Sequence, residues 1–194
     1  METLWPDVEP AKAAGRLSVA MSVVRAVLDP GRREEPDHHL IADRDTVALD
    51  HLTVDVHTFL ATTADAFAAQ MAGDSRRATG LFSQAERLYA GDFLAEDPYE
   101  DWAVPRREEA RATAIAVLFA LVEDGLRQQA WDRAIPRLHR ILDIDPHDEG
   151  AHLKLVAALS EAGRYAEAHR RYIVYAQRMD ELGVEAAPKP VTVR

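Results

Sequence analysis

The sequence predicts an all-α fold of antiparallel helical hairpins, preceded by a small N-terminal helix and β-hairpin. Three observations carry this. From about residue 55 onward, apolar side chains recur at helical spacing. The C-terminal third repeats itself with a fixed period. Only one stretch, "LIADRDTVAL", reads as two short strands around a polar turn.

The first segment holds one helix. Pro10 suits its start, and Asp29, Pro30 and Gly31 stop it. Leu17, Met21, Val24 and Leu28 fall on one apolar face at i, i+4, i+7 and i+11, while Val19, Val23 and Ala26 make the other side unusually apolar too. A helix apolar nearly all round must be covered, so residues 11 to 28 are expected to pack against the helical part or against a second copy, as a homodimer. A charged linker, "GRREEPDHH", leads to the strands.

Asp55 then suits the N-cap of a helix with Val56, Phe59, Leu60, Phe67 and Met71 on its inner side, closed by Gly73. The next helix is expected from about Ser75 to Ala90, with Leu81, Ala85, Leu88 and Tyr89 inward. After it comes "DFLAEDPYEDW", residues 92 to 102. Asp97 before Pro98, with Glu100 three residues after Asp97, has the spacing of a capping box, and Phe93, Tyr99 and Trp102 would anchor that corner. A metal site would need carboxylates converging on one point, and this spacing does not require it.

The long helix that follows places Ala114, Val117, Leu118, Leu121 and Val122 inward, and Pro105 either kinks or restarts it. Three more helices follow. Pro136 is tolerable only near a helix start, which places the first of them near Asp132. The tail is expected to be loose.

Trp131 and Tyr165 are 34 apart, as are Ala134 and Ala168, Leu138 and Tyr172, Leu121 and Leu155, and Gln129 and Gly163. A 34-residue period of paired helices is the tetratricopeptide signature. Two repeats are expected, about 115 to 146 and 149 to 180, with the earlier helices outside the period.

Bulk properties narrow the chemistry. Lys plus Arg is 23 against 33 Asp plus Glu, a net charge of −10, which disfavours non-specific nucleic-acid binding. There is no cysteine, and no apolar run approaches a membrane span, so a cytoplasmic chain is expected. His147 and His152 are five apart rather than three or four, His38 and His39 sit in a polar linker, and no HExxH occurs. No glycine-rich phosphate loop, nucleophile elbow or Cys–His pair is present. The chain reads as a non-enzyme needing no cofactor. The "RREEAR" and "HRRY" runs read as solvated, mixed-charge helix faces.

The stretches "VDVHTF", "AERLYAGDFL", "DPYEDWAVPRREEAR", "ILDIDPHDEGAH", "ALSEAGRYAEAHRRY" and "ELGVE" are similar, in that order, to the bacterial transcriptional activator domain. This is the helical module of the Streptomyces antibiotic regulatory protein family. "LWPD" with "AKAAGRLSVAMSVVRAVL" resembles the recognition helix of the winged helix-turn-helix that precedes the module, and "HHLIADRDTVALD" resembles its wing. The first helices and sheet of such a domain have no counterpart here, and the helix keeps only Lys12, Arg16 and Arg25 as basic residues. The organisation implied is residues 1–52 as a partial winged-helix remnant, 53–185 as the activator domain and 186–194 as the tail.

The resemblance implies a regulatory protein-interaction module that contacts transcription machinery or another regulator domain. A helical-repeat groove would be lined by Glu123, Arg127, His152 and Lys154. The alternatives are a sequence-specific DNA-binding activator, using Lys12, Arg16, Ser22 and Arg25 if the missing winged-helix half is supplied, and a generic tetratricopeptide adaptor.

Overall fold

A computed structural model describes residues 5, 7–35, 37–43 and 46–190. The chain divides into two compact units between Val54 and Asp55.

In the first unit, α1 spans Pro10–Leu28, with proline in its first turn and the Asp29 N–H closing it on the Arg25 carbonyl. Strands β1 (Leu40–Ala42) and β2 (Val47–Leu49) pair antiparallel, with Leu40 opposite Leu49. Asp43 makes the turn: its carboxylate accepts from the Thr46 N–H at 2.7 Å and the Thr46 hydroxyl at 2.9 Å. Arg25 ties α1 to β1 by donating to the Leu40 carbonyl at 3.2 Å.

The second unit is helical: α2 (Asp55–Met71), α3 (Ser75–Leu88), α4 (Val104–Arg127), α5 (Trp131–Ile144), α6 (Glu149–Glu161) and α7 (Tyr165–Glu181). They form three antiparallel hairpins, α2–α3, α4–α5 and α6–α7, all closed by one kind of turn. Gly73, Gln129 and Gly163 sit in the left-handed region at φ 79°, 54° and 76°. In each turn that residue's N–H reaches the carbonyl three back, and the next N–H reaches five back: Gly73 to Gln70 and Asp74 to Ala69, Gln129 to Leu126 and Ala130 to Gly125, Gly163 to Ser160 and Arg164 to Leu159. This is the Schellman ending that favours glycine.

The second and third hairpins keep the 34-residue period. The first hairpin closes with the same turn but stands outside the period. Its turn at 73 lies 56 positions before the one at 129, because the 89–103 connection and the 24-residue α4 are both longer than their counterparts, the 145–148 link and the 13-residue α6.

The core runs along α4 to α7. Leu118, Val122, Leu138, Ile141, Leu155, Val156 and Leu159 are buried, with the small Ala134 and Ala168 among them. Each large side chain so buried contributes roughly 1.5–3 kcal/mol.

Three expectations need correction here. The inner face of α2 is Val56, Phe59, Thr62, Thr63, Ala66 and Ala69. Phe67 lies partly outside it and Met71 is 89% exposed. Pro136 sits inside α5, past its first turn. The Asp132 carbonyl that it leaves without a helical donor is on an exposed residue, which keeps the cost of the proline small. Finally, the tail is not loose throughout: the Ala187 N–H donates to the Tyr175 hydroxyl at 2.8 Å, and the Tyr172 hydroxyl donates to the Ala187 carbonyl at 3.0 Å. Among the described residues no helix is long and apolar enough to cross a membrane.

Candidate functional site

The α3–α4 connection, residues 89 to 103, is the most elaborately built surface of the helical unit. Arg107 holds it. Its guanidinium donates to the carbonyls of Phe93, Pro98 and Asp97, each at 3.1 Å, and to that of Leu94 at 3.5 Å. The residue is only 7% exposed. One turn on, Arg111 grips Asp92 with two donors, Nε to Oδ1 at 2.7 Å and Nη2 to Oδ2. Asp92 also accepts from the Tyr89 hydroxyl at 3.2 Å. Arg111 and, less, Tyr89 hold the Asp92 carboxyl below its ordinary range, while burial and the neighbouring carboxylate push Tyr89 up to about 12. The Tyr89 ring packs on Phe59 of α2, 5.4 Å between centroids.

This geometry overturns the capping-box expectation. Helix α4 begins at Val104 after a single 3₁₀ turn at Asp101–Ala103, with Pro105 in its first turn and no side-chain cap. Had 97–100 been helical, the Asp97 and Pro98 carbonyls would have been taken by the helix ladder, whereas here Arg107 uses them. Nor do the aromatics anchor the corner: Tyr99 is 94% exposed and Trp102 51%. Phe93 alone is half-buried. The "RREEAR" run is accordingly not a uniformly solvated face. A signal for Arg107 was present, since it falls on the buried stripe with Ala110, Ala114, Val117 and Leu121.

The expected groove residues separate. Glu123 on α4 and Lys154 on α6 meet in an ion pair at 2.5 Å, half-exposed. Arg127 is exposed and turned to Asp124 at 2.9 Å. His152 does not line a surface. It is 4% exposed, its Nε2 lies 3.0 Å from the Pro146 carbonyl, and its ring packs on Tyr175. The Asp148 cap, accepting from the Ala151 N–H at 2.7 Å, starts α6 in a register that turns His152 inward.

In the first unit, Lys12 reaches Glu9 at 3.8 Å with both side chains exposed, and Arg16 and Ser22 are exposed. Arg25 is half-buried and committed to structure: besides Leu40 it pairs with Asp37 at 2.8 Å. Leu17, Met21 and Leu28 are half-buried. Val24 is exposed, and so are Val19, Val23 and Val27, one stripe at i, i+4 and i+8.

Residues 54–193 match the family described as the bacterial transcriptional activator domain. The chain belongs to that family. The match takes in all six helices of the second unit, and it assigns the protein a role related to bacterial transcription activation. Among curated proteins, no match was found. In this bacterial transcriptional activator domain, no group of three His, Asp or Glu among the described residues is arranged to hold a metal ion.

Proposed function

We propose that the protein is a regulatory, protein-binding module of a bacterial transcription regulator, and that its helical hairpins act by contact rather than catalysis. The observation that carries this is the stack itself. Three hairpins closed by one turn type present long helix faces, with Glu123 and Lys154 paired between the second and third hairpins and Arg127 exposed on α4. The polar clusters of the unit are committed to holding its own loops, as at Arg107 and Asp92. The family supports a partner in the transcription machinery or another regulator domain.

The test fuses the full chain to an unrelated DNA-binding domain and measures a reporter driven from that domain's operator. Activation is expected. Absence of activation, together with tight binding of DNA by the chain itself, would overturn the reading.

A second reading is direct DNA contact by α1 and the β1–β2 hairpin, taken as the recognition helix and wing of a winged helix. It is favoured by the order of helix then antiparallel hairpin, with α1 fixed to β1 through Arg25.

A further inference from the structure

We propose that the tip of the 89–103 loop is the partner-contact element of the module, and that its partner is a protein presenting a basic cleft with an apolar floor. The proposal deepens the protein-contact reading above and depends on it.

The carrying observation is aromatic exposure. Tyr99 is 94% exposed, Trp102 51% and the adjacent Val104 42%. Tyrosine and tryptophan are the side chains that dominate binding energy when a partner covers them. Leaving two such rings and a valine in water on one short segment is unfavourable unless something takes them up.

The loop is also preorganised. Arg107 fixes its base through four carbonyls, and the Trp102 indole N–H donates to the Glu100 carboxylate at 2.8 Å. A tip held in one conformation loses little freedom on binding, which raises affinity without new contacts.

Charge then selects the partner. Glu96, Asp97, Glu100 and Asp101, on the same short segment as the two rings, are all exposed, and Glu100 touches Trp102. Four carboxylates repel phosphate backbone and anionic lipid alike, so neither nucleic acid nor a membrane surface fits. They match lysine and arginine around a pocket that accepts the rings.

The experiment uses the full chain and purified bacterial RNA polymerase holoenzyme as the probe. Three variants are compared with the wild type: Tyr99→Ala with Trp102→Ala; Glu96→Lys with Asp97→Lys and Asp101→Lys; and Glu123→Lys with Lys154→Glu. Wild-type binding is expected to weaken with salt, and each loop variant to weaken it by at least about tenfold. Melting temperatures of the loop variants should match the wild type, since the altered side chains are exposed. The third variant should bind normally. Wild-type binding that the loop variants keep and the Glu123/Lys154 variant loses overturns this inference but leaves the protein-contact reading standing. No binding by the wild type overturns this inference, while the reporter fusion above decides the protein-contact reading separately. A dimer of the wild type that the loop variants convert to monomer identifies the occupant as a second copy, and overturns the inference as stated.

Discussion

Glu86 on α3 and Arg137 on α5 form a two-pronged ion pair across 51 residues of sequence, Nε to Oε1 at 3.0 Å and Nη2 to Oε2 at 2.8 Å. Both side chains are about four-fifths buried, at 22% and 18% exposure. Arg140, one turn along α5, adds a bond to the Tyr89 carbonyl. The first hairpin is thus fastened to the second by charge-assisted bonds as well as by apolar packing.

Arg137→Ala is therefore expected to destabilise the helical unit by about 2 kcal/mol, because it leaves a largely buried carboxylate without its donors. A double-mutant cycle with Glu86→Gln, followed by urea unfolding, checks this. Additive effects would show that the pair contributes nothing of its own.

Arg107→Ala should cost more, about 3 kcal/mol, since four carbonyls lose one donor group together. The first consequence should be local. Limited proteolysis is expected to cut between residues 93 and 103 in the variant and not in the wild type, while helical circular dichroism persists. Arg107→Lys should rescue only part, because an ammonium cannot reach the same fork of acceptors.

Gln129 and Gly163 make the same turn 34 residues apart, with φ of 54° and 76°. A non-glycine residue is strained there, so Gln129→Gly is expected to stabilise by about 0.5–1 kcal/mol and Gly163→Ala to destabilise by about 1 kcal/mol. An added Cβ at Gly163 would meet nothing within 4 Å, so the effect would be conformational rather than steric. Thermal melts of the two variants check the opposite signs.

That pair also shows what sequence reasoning reached. Apart from the start of α4, period and apolar spacing located the helices of the second unit, because each has a buried stripe that only a helix produces. Gln129 stands 34 residues before Gly163 without being glycine, and the structure keeps the turn regardless. The 89–103 connection was misread for a physical reason. Asp97, Pro98 and Glu100 satisfy the local rules for a helix start, but the distant Arg107 competes for the same carbonyls, and a tertiary bond outweighed a local preference. His152 was misplaced similarly: its polarity suggests a surface, whereas the Pro146 carbonyl gives it a buried partner.

Acid should weaken the Asp92 corner in a defined direction. Arg111 holds the Asp92 carboxyl below its ordinary value of 3.8. A group whose native value is depressed contributes stability above the unfolded value and loses it as pH falls through the native one. Asp92→Asn is expected to lower stability at pH 7 and to flatten its decline below pH 4. Urea midpoints measured across that range decide it. Parallel curves for the wild type and the variant would refute the assignment.

DNA binding by α1 is expected to be weak and strongly salt-dependent. Affinity for duplex DNA scales with the number of phosphates neutralised, and each released counterion adds to the salt slope. Helix α1 carries three basic residues, and Arg25 is already spent on Asp37 and the Leu40 carbonyl. Lys12 lies beside Glu9, which leaves Arg16 as its least encumbered charge. Against a chain charge of −10, so few contacts give little affinity at physiological salt. Two substitutions separate binding from folding. Arg16→Ala should leave stability unchanged and reduce whatever DNA binding exists. Arg25→Ala should loosen the β1–β2 hairpin, seen as faster amide exchange at Leu40 and Leu49, whether or not DNA is present. Nanomolar, sequence-selective binding at physiological salt, abolished by Arg16→Ala, would refute the prediction and favour the winged-helix reading instead.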